Sequence, residues 1–286
     1  MSFRTPGHTL GEIRMLRSRL PNRTALVVEG ESDVRFWSHL VDRDSVEIFA
    51  AYGKTNALAV ASENEKEPRV AGVLVVVDSD YWGLETPPEL PNDVLLTDSH
   101  DIEVMMIFSV AMEHLHIEFA AGSVGKAASA DSVRSQCISG VLPLSALRWR
   151  NRQLGLGIDF SELEVDGEIR RHYFQKSPPG VDIEKVAGRL SAVTGITKGQ
   201  LLEHAALIHI DGLELAHLLR GHDLTALLAS GYRHHYAKRD LKECSARHVE
   251  SQLRTGYTSE SFESTKLAAS VESWQADNPT FRVMPD

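Results

Sequence analysis

Along the first hundred residues, short apolar runs alternate with polar segments of helical character. A first helix is predicted over Thr9–Leu20. Thr9 and Glu12 have capping-box spacing, and Ile13, Leu16 and Leu20 share one face. Ala25-Leu26-Val27-Val28 reads as a buried strand, followed by Glu29-Gly30-Glu31-Ser32 and a helix from Asp33 to Val41. A second strand, Val46–Ala50, ends in Tyr52-Gly53-Lys54-Thr55-Asn56 ahead of an alanine-rich helix. Val70–Val77 is apolar without alternation, as expected of a strand buried on both faces of a parallel sheet, and it ends in Asp78-Ser79-Asp80. After a proline-rich loop, Val94–Thr97 predicts a fourth strand, and a helix starts near Asp101. Strands alternating with helices at this spacing predict an α/β fold with an open parallel sheet flanked by helices.

Beyond Ala121 the pattern turns mainly helical. One helix is expected around Asp131–Arg150, broken at Gly140 or Pro143. Asp166-Gly167 is the expected turn of a hairpin running from Phe160 to Phe174, and Ser177-Pro178-Pro179-Gly180 reads as a linker. Further helices are predicted at Ile183–Val193, Lys198–Ile208, Asp223–Ala229, Tyr232–Leu253 and Ser261–Asp277. The expected divisions are an N-terminal helix (1–23), an α/β domain (24–120), a mainly helical region with a hairpin (121–230) and C-terminal helices (231–286).

Composition narrows the function classes. With 286 residues and 42% hydrophobic content the chain can bury a substantial core. The longest apolar run, Val70–Val77, is too short to cross a bilayer, so no membrane partner is expected. Two cysteines cannot build a disulfide framework, and the arginine-bearing segment Met1–Pro21 has no apolar core of a signal peptide, so a cytoplasmic protein is expected. A net charge of −10 excludes a simple electrostatic coat for nucleic acid. It leaves open an acidic enzyme whose carboxylates hold metal ions.

Parallel sheets of this kind carry their sites beyond the C-terminal strand ends, which here bear Glu29, Asp78, Asp80 and Asp98. In extended chain Asp78 and Asp80 project to one side, and Glu29 reaches the same edge from another strand. Such carboxylates repel unless a cation joins them, and oxygen ligands favour Mg²⁺ or Mn²⁺. Taken singly, acids after strands are more often helix caps or turn formers.

The run Val28-Glu29-Gly30-Glu31-Ser32-Asp33 with Asp78-Ser79-Asp80 on the next long apolar strand resembles the TOPRIM fold of topoisomerases, primases and overcoming-lysogenization-defect nucleases, most closely the last. That resemblance implies catalytic and metal-binding roles for Glu29, Asp78 and Asp80. It adds Asp33 as a further metal-binding acid, and Asp101 or Glu103 as a later one. The whole chain, including Gly221-His222-Asp223-Leu224, also looks like the stand-alone TOPRIM-like family that supplies the effector of PARIS anti-phage defence. This implies a metal-dependent endonuclease acting on DNA or RNA, with a partner ATPase; a homo-oligomer is a further expectation. The alternative is a non-catalytic subunit regulated by that ATPase.

Gly53-Lys54-Thr55 looks like the end of a phosphate loop, but a complete one needs glycine where Ile48 stands, so nucleotide hydrolysis is excluded. Lys54 remains a candidate to stabilise phosphate charge at a helix N-terminus, with an exposed lysine in a turn as the equal alternative. Arg148, Arg150 and Arg152 around Trp149 are candidate nucleic-acid contacts, as are Lys238, Arg239 and Lys242, which share a helix face with His235. A solvated helix end with Trp149 packed into the core, and a solvated charged face, are the plainer readings of these two groups. The thirteen histidines show no zinc spacing, and His222 reads as a structural helix start.

Overall fold

A computed structural model describes residues 5–66, 68–120, 129–165, 167–176, 178–206, 212–236 and 244–285. In chain order the first elements are α1 (Pro6–Arg19), β1 (Thr24–Val28), α2 (Glu31–Trp37), β2 (Val46–Ala50), α3 (Lys54–Asn64), β3 (Val73–Val77), β4 (Val94–Leu96), α4 (Ile102–Ile107), α5 (Ala111–Ala120) and α6 (Ala130–Leu154). Two short hairpins follow, β5 (Glu164–Val165) with β6 (Glu168–Ile169), and β7 (Phe174–Lys176) with β8 (Pro179–Val181). The remaining helices are α7 (Ile183–Thr194), α8 (Lys198–Ala206), α9 (Gly212–Leu218), α10 (Gly221–Gly231), α11 (Ala246–Gly256), α12 (Ser259–Glu263) and α13 (Lys266–Asp277), with a π turn (Tyr232–Tyr236) after α10. None of the described helices is long and apolar enough to cross a membrane.

The chain forms two compact units that do not follow the four expected divisions. The first comprises Met1–Ser79, Thr86–Asp98 and Ser259–Asp286; the second comprises Asp80–Glu85 and Ser99–Thr258. The expected C-terminal region 231–286 is therefore divided, and its last 28 residues join the first unit.

The first unit contains a four-stranded, all-parallel sheet in the order β2-β1-β3-β4. Every residue of β1 and β3 is buried, as their unbroken apolar runs require. Each such valine or leucine contributes about 1.5–3 kcal/mol. The C-terminal segment is built into this unit. Phe281 lies against Gly72, where φ is +71° and a side chain would collide with the phenyl ring. Arg17 stacks 4.6 Å from the same ring and donates to the Ala71 carbonyl at 2.6 Å. Phe262 meets Trp37 edge-on at 5.3 Å.

Several local expectations change. The cap of α1 is Thr5 with Pro6 at the first helical position, and Thr9 lies buried inside the helix. A proline's fixed φ and a threonine oxygen start the helix one turn earlier than the Thr9/Glu12 pair suggests. In the second unit, α6 runs unbroken through Gly140 and Pro143. Gly140 serves close packing: a Cβ there would stand 2.6 Å from the Pro179 carbonyl oxygen on β8. The expected linker is the second hairpin, with Pro179 and Gly180 in β8 and Ser177 outside the described residues. The first hairpin is shorter than expected, and its turn residue Asp166 also lies outside them. A single helix over Tyr232–Leu253 is excluded, because extended Ser245 caps a new helix at Ala246. Thr265 likewise separates α12 from α13.

Candidate functional site

Because β1 and β3 are parallel neighbours, with Ala25, Leu26 and Val27 paired to Val73, Leu74 and Val75, their following residues emerge at one sheet edge. Glu29 Oε1 accepts the Asp78 N–H at 2.9 Å. The few covalent bonds from that nitrogen to the Asp78 carboxyl keep the two carboxyl groups within about 8 Å. Lys54, the first residue of α3, donates from Nζ to the Asp78 carbonyl at 2.6 Å. The turn that delivers it has two successive left-handed residues, Tyr52 (φ 58°) and Gly53 (φ 124°). The Gly53 N–H donates to the Glu29 carbonyl at 2.9 Å, and the Tyr52 hydroxyl to Glu31 Oε1 at 3.1 Å. A non-glycine residue held at positive φ is a mark of functional edges.

The neighbouring acids cap helices. Asp33 Oδ2 accepts the Gly30 N–H at 2.8 Å at the start of α2. Asp98 accepts the N–H groups of Lys266 and Leu267 at 2.7 and 2.8 Å, at the start of α13.

Asp80, Asp101 and Glu103 belong to the second unit. Strand β3 stops at Val77, and Asp80 is left-handed (φ 47°) at the head of a 3-10 turn, Asp80–Gly83, with its N–H on the His100 carbonyl. The extended alternation expected to carry Asp78 and Asp80 to one side therefore does not reach Asp80. Asp101 is buried and caps α4. Oδ1 accepts the Val104 N–H at 2.9 Å, Oδ2 accepts the Gly221 N–H at 2.7 Å, and His100 Nδ1 lies 3.1 Å from Oδ2. Burial alone would raise its pKa, but the His100 hydrogen bond and charge, with the two N–H donors, hold the carboxyl below its ordinary value.

The N-terminus of α10 approaches α4 so closely that a Cβ on Gly221 would overlap Asp101 Oδ1 and Glu103 Cβ. The next residue, His222, then joins two carboxylates. Ligand atoms of Glu103, His222 and Glu250 all lie within 4.8 Å of one another. His222 Nδ1 is 3.5 Å from Glu250 Oε1, and Arg254 Nη1 is 3.9 Å from Glu250 Oε2. The hydrogen bond to Glu250 pushes the imidazole up to about 9 against partial burial, helped by the charges of Glu103, Asp101 and Glu250. Two carboxylates and one imidazole can hold a divalent cation, and the nitrogen donor extends the range from Mg²⁺ towards Mn²⁺ and Zn²⁺. Glu103 was expected as a metal ligand beside Glu29, Asp33, Asp78 and Asp80, not with His222 and Glu250. His222 does start a helix, as its sequence suggests, but it also faces the two carboxylates. No local spacing links it to Glu250 on α11, so the sequence carries no signal for this pairing.

The expected arginine contacts are engaged elsewhere. The Arg148 side chain is 10% exposed, binds Asp223 at 2.9 Å and Glu164 at 2.7 Å, and lies 4.5 Å from the Phe160 ring centre. Burial would lower its pKa, but Asp223 and Glu164 raise it above the ordinary value. Arg150 donates to Gln153 on its own helix, and exposed Arg152 pairs with Glu85 at 2.6 Å. Trp149 packs 5.1 Å from Tyr81, ring centre to ring centre. Lys238, Arg239 and Lys242 lie outside the described residues. His114 and His116 bond the Gly256 carbonyl and the Tyr232 hydroxyl. Both cysteines are free and buried.

Comparison with protein-family models and with curated proteins returns no match.

Proposed function

We propose that this protein is a divalent-metal-dependent nuclease that cuts phosphodiester bonds. The observation that supports this best is the pairing of Glu29 with Asp78 at adjacent strand ends, with Lys54 beside them. The resemblance of these positions to TOPRIM nucleases supports the same reading and adds Asp80. It also suggests work as an anti-phage effector under a partner ATPase.

Glu29 and Asp78 offer hard oxygen donors, a set that fits Mg²⁺ or Mn²⁺. When bound, the cation would polarise the scissile phosphate and make water a stronger nucleophile. Glu29 and Asp78 would hold and orient it, while the Lys54 ammonium would offset phosphate charge. Asp33 would serve mainly to fix Gly30 and the start of α2.

A second reading is favoured by the hydrogen bonds themselves. Glu29 is satisfied by the Asp78 N–H, and Lys54 brings a positive charge to the same edge, so this edge is compatible with a non-catalytic subunit. Incubating the full chain with plasmid, linear DNA and tRNA, with Mg²⁺, Mn²⁺ or EDTA, separates the two. Metal-dependent cleavage supports the nuclease. Intact substrates under every condition, with an ATPase co-purifying from the native operon, support the regulated subunit.

A further inference from the structure

Within the second unit is a cavity of about 230 Å³ bounded by the first hairpin, α10, the π turn and the start of α11. Two arginines, Arg171 and Arg233, line it against one carboxylate, Glu168, in a protein whose net charge is −10, and His172 and His234 add imidazole groups. Arg171, His172 and His234 are exposed, while Arg233 is only partly exposed. Ile169, Phe174, Ala226 and Ala229 supply an apolar wall.

Both arginines line this cavity. Arg233 Nη2 donates to the Cys244 carbonyl, and its Nε–H is enclosed with no hydrogen-bond acceptor among the described residues. An enclosed donor left unmatched costs about 1–3 kcal/mol. Burial pushes the Cys244 thiol up to about 11, and the charges of Arg233 and Arg171 are both close enough to oppose that rise. The thiol is therefore a poor nucleophile, and the cationic character of the cavity is the feature left to explain. Ser245 and Ala246, which open the eleven-residue helix α11, also line it, so the positive end of a helix dipole adds to the field.

We propose that this cavity binds a small phosphomonoester, with the phosphate between Arg171 and Arg233 and the carbon skeleton against Ile169 and Phe174. A dianion with several acceptor oxygens matches two forked guanidinium donors better than a monocarboxylate does. The volume lies below the roughly 300 Å³ at which pockets begin to enclose drug-sized ligands, so the ligand is of sugar-phosphate size. This is independent of the proposed nuclease site.

Titration calorimetry of the full chain with ribose 5-phosphate tests it, with ribose and inorganic phosphate as the separate halves. Ribose 5-phosphate is expected to bind, ribose to give no binding heat, and inorganic phosphate to bind about tenfold or more weakly. Arg171→Gln should weaken ribose 5-phosphate by about tenfold or more, the scale of one charge-assisted hydrogen bond. Arg189→Gln, an exposed charge change on α7, should not. Because Arg233 braces Cys244, its charge is better probed with Arg233→Lys, which should retain part of the affinity. Ala229→Leu fills the cavity without altering charge and should abolish binding, while the melting temperature confirms the fold. The proposal is overturned by equal binding of ribose and ribose 5-phosphate, by equal weakening in Arg171→Gln and Arg189→Gln, or by no binding to folded wild type at about 5 mM.

Discussion

Glu29 and Asp33 each give a carboxylate oxygen to a main-chain N–H, that of Asp78 or of Gly30. In the second unit, Glu250 and Glu103 face a side-chain cation, His222, and Asp223 faces Arg148. The two arrangements respond to substitution differently. A main-chain donor needs only an acceptor, so a neutral isostere can keep the bond. A buried carboxylate matched to a cationic side chain needs the charge itself, and removing one partner strands the other.

The largest expected effect follows from that stranding. Arg148→Met leaves Asp223, 0% exposed, with Arg220 at 3.9 Å as its remaining cation among the described residues. A loss of about 3–5 kcal/mol is expected in urea unfolding. Lys54→Met in the first unit removes a charge-assisted hydrogen bond to the Asp78 carbonyl, a main-chain acceptor, and should lose less, about 1.5–3 kcal/mol. Equal losses would break the comparison.

Next is Glu29→Gln. Gln retains an oxygen for the Asp78 N–H, so the metal-free protein should melt at or above the wild-type temperature. Metal-induced stabilisation should shrink, and cleavage should fall by about 10²–10³-fold. Earlier melting with the full metal shift would show that Glu29 is structural.

Gly221→Ala sharpens the second side of the comparison. The new methyl group would overlap Asp101 and Glu103, so α10 must move away from α4. A loss of about 1–3 kcal/mol is expected, together with any Mn²⁺-induced rise in melting temperature that depends on Glu103, His222 and Glu250. Wild-type stability in this variant would show that the close approach is dispensable.

The smallest effect is in pH dependence. The folded pKa of His222 is raised to about 9 from 6.5. Its contribution to stability is therefore complete below about pH 6.5 and is lost as pH rises through about 9. Glu103, Asp101 and Glu250 face this imidazole, and Arg254 tempers Glu250. The side chain is 42% exposed, so screening limits the change to the order of 0.5 kcal/mol. Unfolding in EDTA across this range should show the decline in wild type and a flatter profile in His222→Gln. Identical slopes would remove His222 from the account.

The parallel sheet was legible because its evidence is local: unbroken apolar runs at Ala25–Val28 and Val73–Val77 need burial on both faces, and helical patterns between strands supply the crossovers. The pairing of Glu29 with Asp78 was legible for the same reason, since parallel neighbours deliver their next residues to one edge. Helix ends were less so. Pro6 and Thr5 outcompeted the Thr9/Glu12 pair, and Gly140 proved a packing residue rather than a break. Asp80 escaped the alternation rule because its backbone turns left-handed beyond β3.

The sequence by itself determined the strands of the first unit, the acidic residues that follow them and the absence of a complete phosphate loop. Those features depend on short-range periodicity and on the residue type at a known position. Tertiary structure alone decided that Phe262 and Phe281 close the first unit, that Arg148 is paired with Asp223, and that His222 meets Glu103 and Glu250. These partners are brought together by close packing and charge pairing between segments far apart in the chain, and neither force leaves a periodic trace in the order of residues.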